Sequence, residues 1–202
     1  MGKKAAGRRV QWRFKERGSW VETPVLPTIA ELRCYVEPRF PTLVNGLIKV
    51  DFQLSSSGGG NDQQGQWFKM VISEDFPSHY ETRWHGSNLY FAGSIIASRK
   101  LIPTEGSRGD FGVWSHKCST RKQCGSYMYY ICSRTGVAWS VMFELKVHLG
   151  HAKKSGACKD QSVTKEGYAV PHAAFFHGVS QKDFWPNLHL WPPWDPNLEL
   201  PY

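Results

Sequence analysis

A chain of 202 residues, 41% hydrophobic and 21% charged, is long enough for one domain with a sizeable core and an appended arm. It holds no run of 18 apolar residues and no apolar segment after Met1, so the reading is a soluble, intracellular protein of cytoplasm or nucleus with no membrane partner. A formal charge of +8 favours acidic partners such as nucleic acid or a phosphate-bearing ligand, and five cysteines without CxxC spacing fit reduced thiols better than a disulfide framework.

Residues 1–22 read as a basic, flexible arm. Lys3, Lys4, Arg8, Arg9, Arg13, Lys15 and Arg17 are interleaved there with Trp12, Phe14 and Trp20. Such a segment either lies on nucleic acid by charge and stacking or stays a solvated tail. Residues 23–78 read as an N-terminal extension. A short helix is expected over 27–36, where Thr28 and Glu31 have capping-box spacing. The alternating segment 46–54 predicts a strand, 55–66 a flexible loop and 67–73 a second strand. The resulting hairpin is either a small accessory subdomain or a pair of edge strands added to a larger sheet. Residues 79–202 are assigned to the main domain with a Pro/Trp-rich tail.

The densest pattern is WHGSNLYFAGSIIASRKLIP, residues 84–103. Leu89, Phe91, Ile95 and Ile96 recur at roughly helical spacing, so the segment predicts a strand end, a tight turn and a short helix. Gly86 has no Cβ to keep a ligand away from the backbone, and His85 offers a directed ring nitrogen. This stretch resembles the opening motif of the poly(ADP-ribose) polymerase-like ADP-ribosyltransferases, in which a strand ends in W-H-G-S/T and a helix of the type F-A-G-I-L-x-x-G-L follows. Trp84, His85, Gly86, Ser87, Phe91, Ala92, Gly93, Ile95 and the exit at Leu101–Pro103 carry the match. A buried structural histidine on a strand-to-helix turn is the other reading of the same residues.

Residues 104–111 read as a polar loop, 112–115 as a short strand and 117–127 as a helix. The family shows G-I/V-Y-F-A in that strand and S-x-x-Y in that helix. Gly112 and Val113 fit, Trp114 stands where the family has its first tyrosine, and Cys124 with Tyr127 keeps the S-x-x-Y spacing with cysteine for serine. The resemblance implies that Trp114 and Tyr127 sandwich the nicotinamide ring of NAD and that the Gly86 backbone holds its carboxamide. It also implies that His85 orients the ribose, and that Ser87, Ser115 and Cys124 complete the pocket. A flat cationic ring gains from two aromatic faces, whereas a thiol hydrogen-bonds weakly. His116, Cys118, Cys124 and Cys132 are separated by one, five and seven residues, which matches no common zinc pattern, so no metal is expected.

Residues 136–149 predict a long strand with Val137, Trp139, Val141, Phe143, Leu145 and Val147 on one face and Glu144 facing outward. Residues 150–167 read as a basic loop, 172–179 as a strand and 188–191 as a short strand within a proline-broken tail. The family places its catalytic glutamate at the start of a late strand, in E-Y-x-V-Y. The counterpart here is AFFHGV, with Ala174 at the glutamate position, and His177 within the strand is the candidate substitute.

The resemblance implies an α+β fold, a split core of two small, mainly antiparallel sheets with short helices and NAD in the cleft between them. It implies a mono-ADP-ribosyltransferase-like domain using NAD as substrate and acting on a protein or nucleic-acid acceptor, with His85 and Trp114 as catalytic residues. A catalytically inactive NAD- or ADP-ribose-binding module is one alternative. An RNA-binding or RNA 2′-phosphotransferase-like protein is the other, with Arg83, Arg99 and Arg108 near the motif.

Overall fold

Two-residue alternation in the long apolar segments, rather than helical periodicity, dominates this chain, and the structure is accordingly built on one large sheet. The computed structural model describes residues 27–36, 46–52, 65–73, 76–87, 89–105, 110–119, 124–132, 137–154, 160–180 and 189–190. The N-terminal arm, most of the loop expected at 55–66, Arg108 and the tail beyond Leu190 lie outside the described residues. Two short helices, α1 (Ile29–Val36) and α2 (Leu89–Ser98), accompany the strands, so the fold is of α+β type and mainly antiparallel.

The strands in chain order are β1 (Ile48–Val50), β2 (Gln66–Val71), β3 (Tyr80–Ser87), β4 (Thr104–Glu105), β5 (Phe111–His116), β6 (Tyr129–Cys132) and β7 (Val137–His148). Four more follow: β8 (Ala152–Lys154), β9 (Gln161–Thr164), β10 (Ala169–Ser180) and β11 (His189–Leu190). Their spatial order is β1-β2-β10-β7-β3-β5-β9-β8, with β4 on β5, β6 on β7 and β11 parallel to β6. β2 pairs with β10 from Ala173↔Val71 to Gly178↔Gln66, so the hairpin of the N-terminal extension belongs to the main sheet. Of the two readings of that hairpin, the edge-strand one describes the structure.

β7 lies at the centre. Val137, Trp139, Val141, Phe143, Leu145 and Val147 join one hydrophobic cluster with Leu32 of α1 and with Leu89, Ala92, Ile95 and Ile96 of α2. Ala138 and Met142 on the opposite face join a second cluster with Met128, Tyr130, Phe175 and Val179. A strand buried on both faces is worth roughly 1.5–3 kcal/mol for each large apolar side chain, which makes β7 the anchor of the sheet. Glu144 is half-buried, with Lys146 Nζ at 3.3 Å. Thr28 caps α1 as its spacing predicts, its Oγ1 accepting from the Glu31 N–H at 3.1 Å. The Glu31 carboxylate accepts a hydrogen bond from the indole N–H of buried Trp139, which ties α1 to β7.

Three expected elements differ. Lys117 and Cys118 form a bend and Ser119 is non-helical, and the helix expected over 117–127 is reduced to a 3-10 turn at Cys124–Tyr127, residues 120–123 lying outside the described ones. Ser119, Gly125 and Ser126 offer the backbone local alternatives to a helix or raise its entropy cost. The basic loop expected at 150–167 contains the β8–β9 hairpin, registered Ala152↔Thr164, because β9 also completes β5 through Val113↔Thr164 to His116↔Gln161. In the loop expected at 104–111, Thr104–Glu105 forms β4 against β5.

Candidate functional site

The Trp84–Ser87 motif sits where β3 leaves the sheet. β3 registers with β7 over its whole length, from Tyr80↔His148 to Ser87↔Val141, but meets β5 at a single pair, Trp84↔His116. Along the same edge of β7, β6 takes over at Ile131↔Trp139. Between the two, Ser140 donates its hydroxyl to the Ser87 carbonyl at 3.0 Å and holds the departing strand. The sheet is therefore narrowest between β3 and β5, and the motif lines that narrow place.

Strand alternation sends successive motif residues to opposite faces. Trp84 packs among aromatic rings, 5.7 Å from Phe52 and 5.6 Å from Phe175 between centroids, so it anchors the strand from behind. Gly86 points the same way. A Cβ there would lie 2.4 Å from the Cys124 carbonyl oxygen and 3.0 Å from both Met128 N and Tyr127 C. The missing side chain thus admits the 3-10 turn of this chain itself and brings Tyr127 to the motif.

His85 is half-buried, and its Nδ1 lies 2.8 Å from the backbone carbonyl oxygen of Trp114. A carbonyl only accepts, so Nδ1 carries the proton and Nε2 is left as an acceptor in the neutral ring. Burial pushes the His85 pKa below the usual histidine value, partly offset by that hydrogen bond, and the ring is neutral near pH 7. The imidazole therefore bridges the narrow place between β3 and β5 with one fixed nitrogen and one free to accept. Trp114 is half-buried and donates its indole N–H to the Thr104 carbonyl at 3.0 Å, while Tyr127 is 45% exposed.

His85, Gly86, Trp114, Cys124 and Tyr127 are thus brought together. The Cys124 thiol is fully buried, and burial pushes its pKa upward, so it stays protonated. Ser87 is buried at the strand end. Ser115 turns to the other face of β5, where its hydroxyl lies 3.0 Å from that of buried Ser162.

Ala174 and His177 are not brought to the others. His85, Phe143 and Ala174 form one row across β3, β7 and β10, with Phe143 in the middle and Ala174 fully buried in the helix-side cluster. His177 faces the opposite side of the sheet. It stacks on Trp67 at 4.3 Å and 17°, and its Nδ1 is hydrogen-bonded to the Tyr130 hydroxyl. Arg83, two residues before His85, is buried and ion-paired with Glu81 at 2.8 Å, and Arg99 is exposed beyond α2.

His116 belongs to this site as well, though the sequence singles it out only as a metal candidate. β5 extends one residue further than expected, and the two-residue period puts His116 on the face of Trp114, which is the signal that would have found it. Its ring lies 5.3 Å from that of Tyr127 at 31°, and it is 5% exposed. Burial, aided by repulsion from His85 and opposed by Asp160, lowers its pKa to about 4. Among the described residues, no group of three or more His, Cys, Asp or Glu is placed to hold a metal ion, and no helix is long and apolar enough to cross a membrane. Comparison of the chain with protein-family models and with curated proteins finds no match.

Proposed function

We propose that this chain is an ADP-ribosyltransferase-like domain, a split core that binds NAD where β3 and β5 part and transfers single ADP-ribose units to a protein or nucleic-acid acceptor. One observation carries the reading: the His85 imidazole is fixed by the Trp114 carbonyl beside Gly86 and Tyr127. In this reading Nε2 of neutral His85 accepts from a ribose hydroxyl, and Trp114 and Tyr127 offer aromatic surfaces to the nicotinamide. Cleavage of the nicotinamide–ribose bond builds positive charge on the ribose, which a carboxylate would stabilise. The row containing His85 and Ala174 supplies none, which argues against polymer synthesis.

That same absence favours a second reading, a module that holds NAD or ADP-ribose without turning it over. Incubating the intact chain with NAD labelled in its adenosine half separates the two. Label transfer with release of nicotinamide, abolished in His85→Ala, supports the transferase; saturable NAD binding without release supports the module. Failure to bind NAD, together with salt-sensitive RNA binding, would reject both in favour of an RNA-directed protein.

A further inference from the structure

We propose that His116 is a ligand-binding residue whose Nδ1 accepts a hydrogen bond from the carboxamide N–H of nicotinamide, making the site selective for the amide over the acid. The inference rests on the NAD-binding reading and adds to it a residue and a selectivity.

The starting observation is that Nδ1 of His116 is buried and has no hydrogen-bond partner among the described residues. A buried polar atom left unpaired costs about 1–3 kcal/mol, so an atom kept in that state at a binding site awaits a partner from outside the fold. Its position fits the ligand end in question: the ring packs against Tyr127, shares a strand face with Trp114, and lies opposite Trp84 in register. The Cys124 thiol, in the place of a hydroxyl donor, is buried, protonated and a weak hydrogen-bonding group.

The ring is neutral near pH 7, so one nitrogen carries the proton and the other a lone pair. Orphaned buried N–H groups are rarer than orphaned acceptors, which puts the proton on Nε2 and the lone pair on Nδ1. A lone pair at that point attracts a carboxamide N–H and repels a carboxylate. Nicotinamide and nicotinate, which differ in that group alone, are therefore told apart.

Calorimetric titration of the intact chain with NAD, nicotinamide, nicotinate and ADP-ribose tests this, alongside His116→Leu and His116→Asn. The intact chain is expected to bind nicotinamide and to reject nicotinate. His116→Leu is expected to lose about tenfold in affinity for NAD and nicotinamide, the loss of one hydrogen bond, while holding ADP-ribose as before. His116→Asn, which keeps an acceptor near the same place, is expected to restore most of the loss. NAD binding that is unchanged in His116→Leu, or equal binding of nicotinate and nicotinamide by the intact chain, overturns the inference and leaves the NAD reading standing. Absence of NAD binding by the intact chain overturns both. The amide-to-acid comparison needs no variant, so a folding defect in His116→Leu does not blunt the test.

Discussion

His85 and Ala174 face the same side of the sheet two strands apart, and the Phe143 ring stands in the row between them. With strands about 4.8 Å apart, their backbones are roughly 10 Å from each other. The position where an acid is wanted thus lies on the right face, but it is sealed under the helices. Ala174→Glu would place a carboxylate in that apolar cluster with no partner. It is expected to destabilise the protein by about 3 kcal/mol or more, read from urea unfolding, and to yield no polymer.

Gly86→Ala is expected to disturb the site through the chain rather than through a ligand. The new Cβ meets backbone atoms of Cys124, Tyr127 and Met128, and backbone cannot swing aside as a long side chain can. A loss of about 1–3 kcal/mol in denaturant unfolding is expected, with a changed near-ultraviolet circular dichroism signal as Tyr127 is pushed from the motif.

Acid should loosen the fold through His116. Its folded pKa of about 4 lies below the usual 6.5, so the unfolded chain binds more protons between those values. Stability is therefore full above about pH 6.5 and falls as pH drops toward 4. The His116 share is at most about 3 kcal/mol, and His85, lowered by the same burial, acts in the same direction. Urea unfolding at pH 7, 5.5 and 4.5 is expected to show the decline, and His116→Asn to flatten it.

Arg99, the residue after α2, has a backbone φ of 54°, in the left-handed region. Glycine adopts that conformation at little steric cost. Arg99→Gly is expected to raise stability by about 0.5–1 kcal/mol, seen as a higher thermal midpoint without change in ligand binding.

What the sequence made legible follows from local physics. The six alternating apolar residues of β7 share one cluster as their period demands, and the strand-then-helix form of residues 84–98 is what a W-H-G-S turn before a helical apolar pattern predicts. β9 was hidden because its Ser162 hydroxyl is satisfied by Ser115 from the neighbouring strand, so a polar residue sits buried where polarity suggests a loop. The helix expected at 117–127 failed on its Ser and Gly content. The roles of His116 and His177 depended on which face each strand presents, and for His177 that is fixed by the distant pairing of β10 with β2 and β7.

That pairing also governs how the protein is made. Phe68 of β2 is matched with Phe176 of β10, more than half the chain's length away, so the first hairpin waits for nearly the whole polypeptide before it has a neighbour beyond itself. A shortened version beginning at residue 79 would leave one long side of β10 with bare amides and carbonyls, a template for another copy of itself. Such a fragment is expected to sediment as aggregates where the intact chain stays dispersed. The first third of the molecule is thus a guard against self-association as much as a part of the sheet.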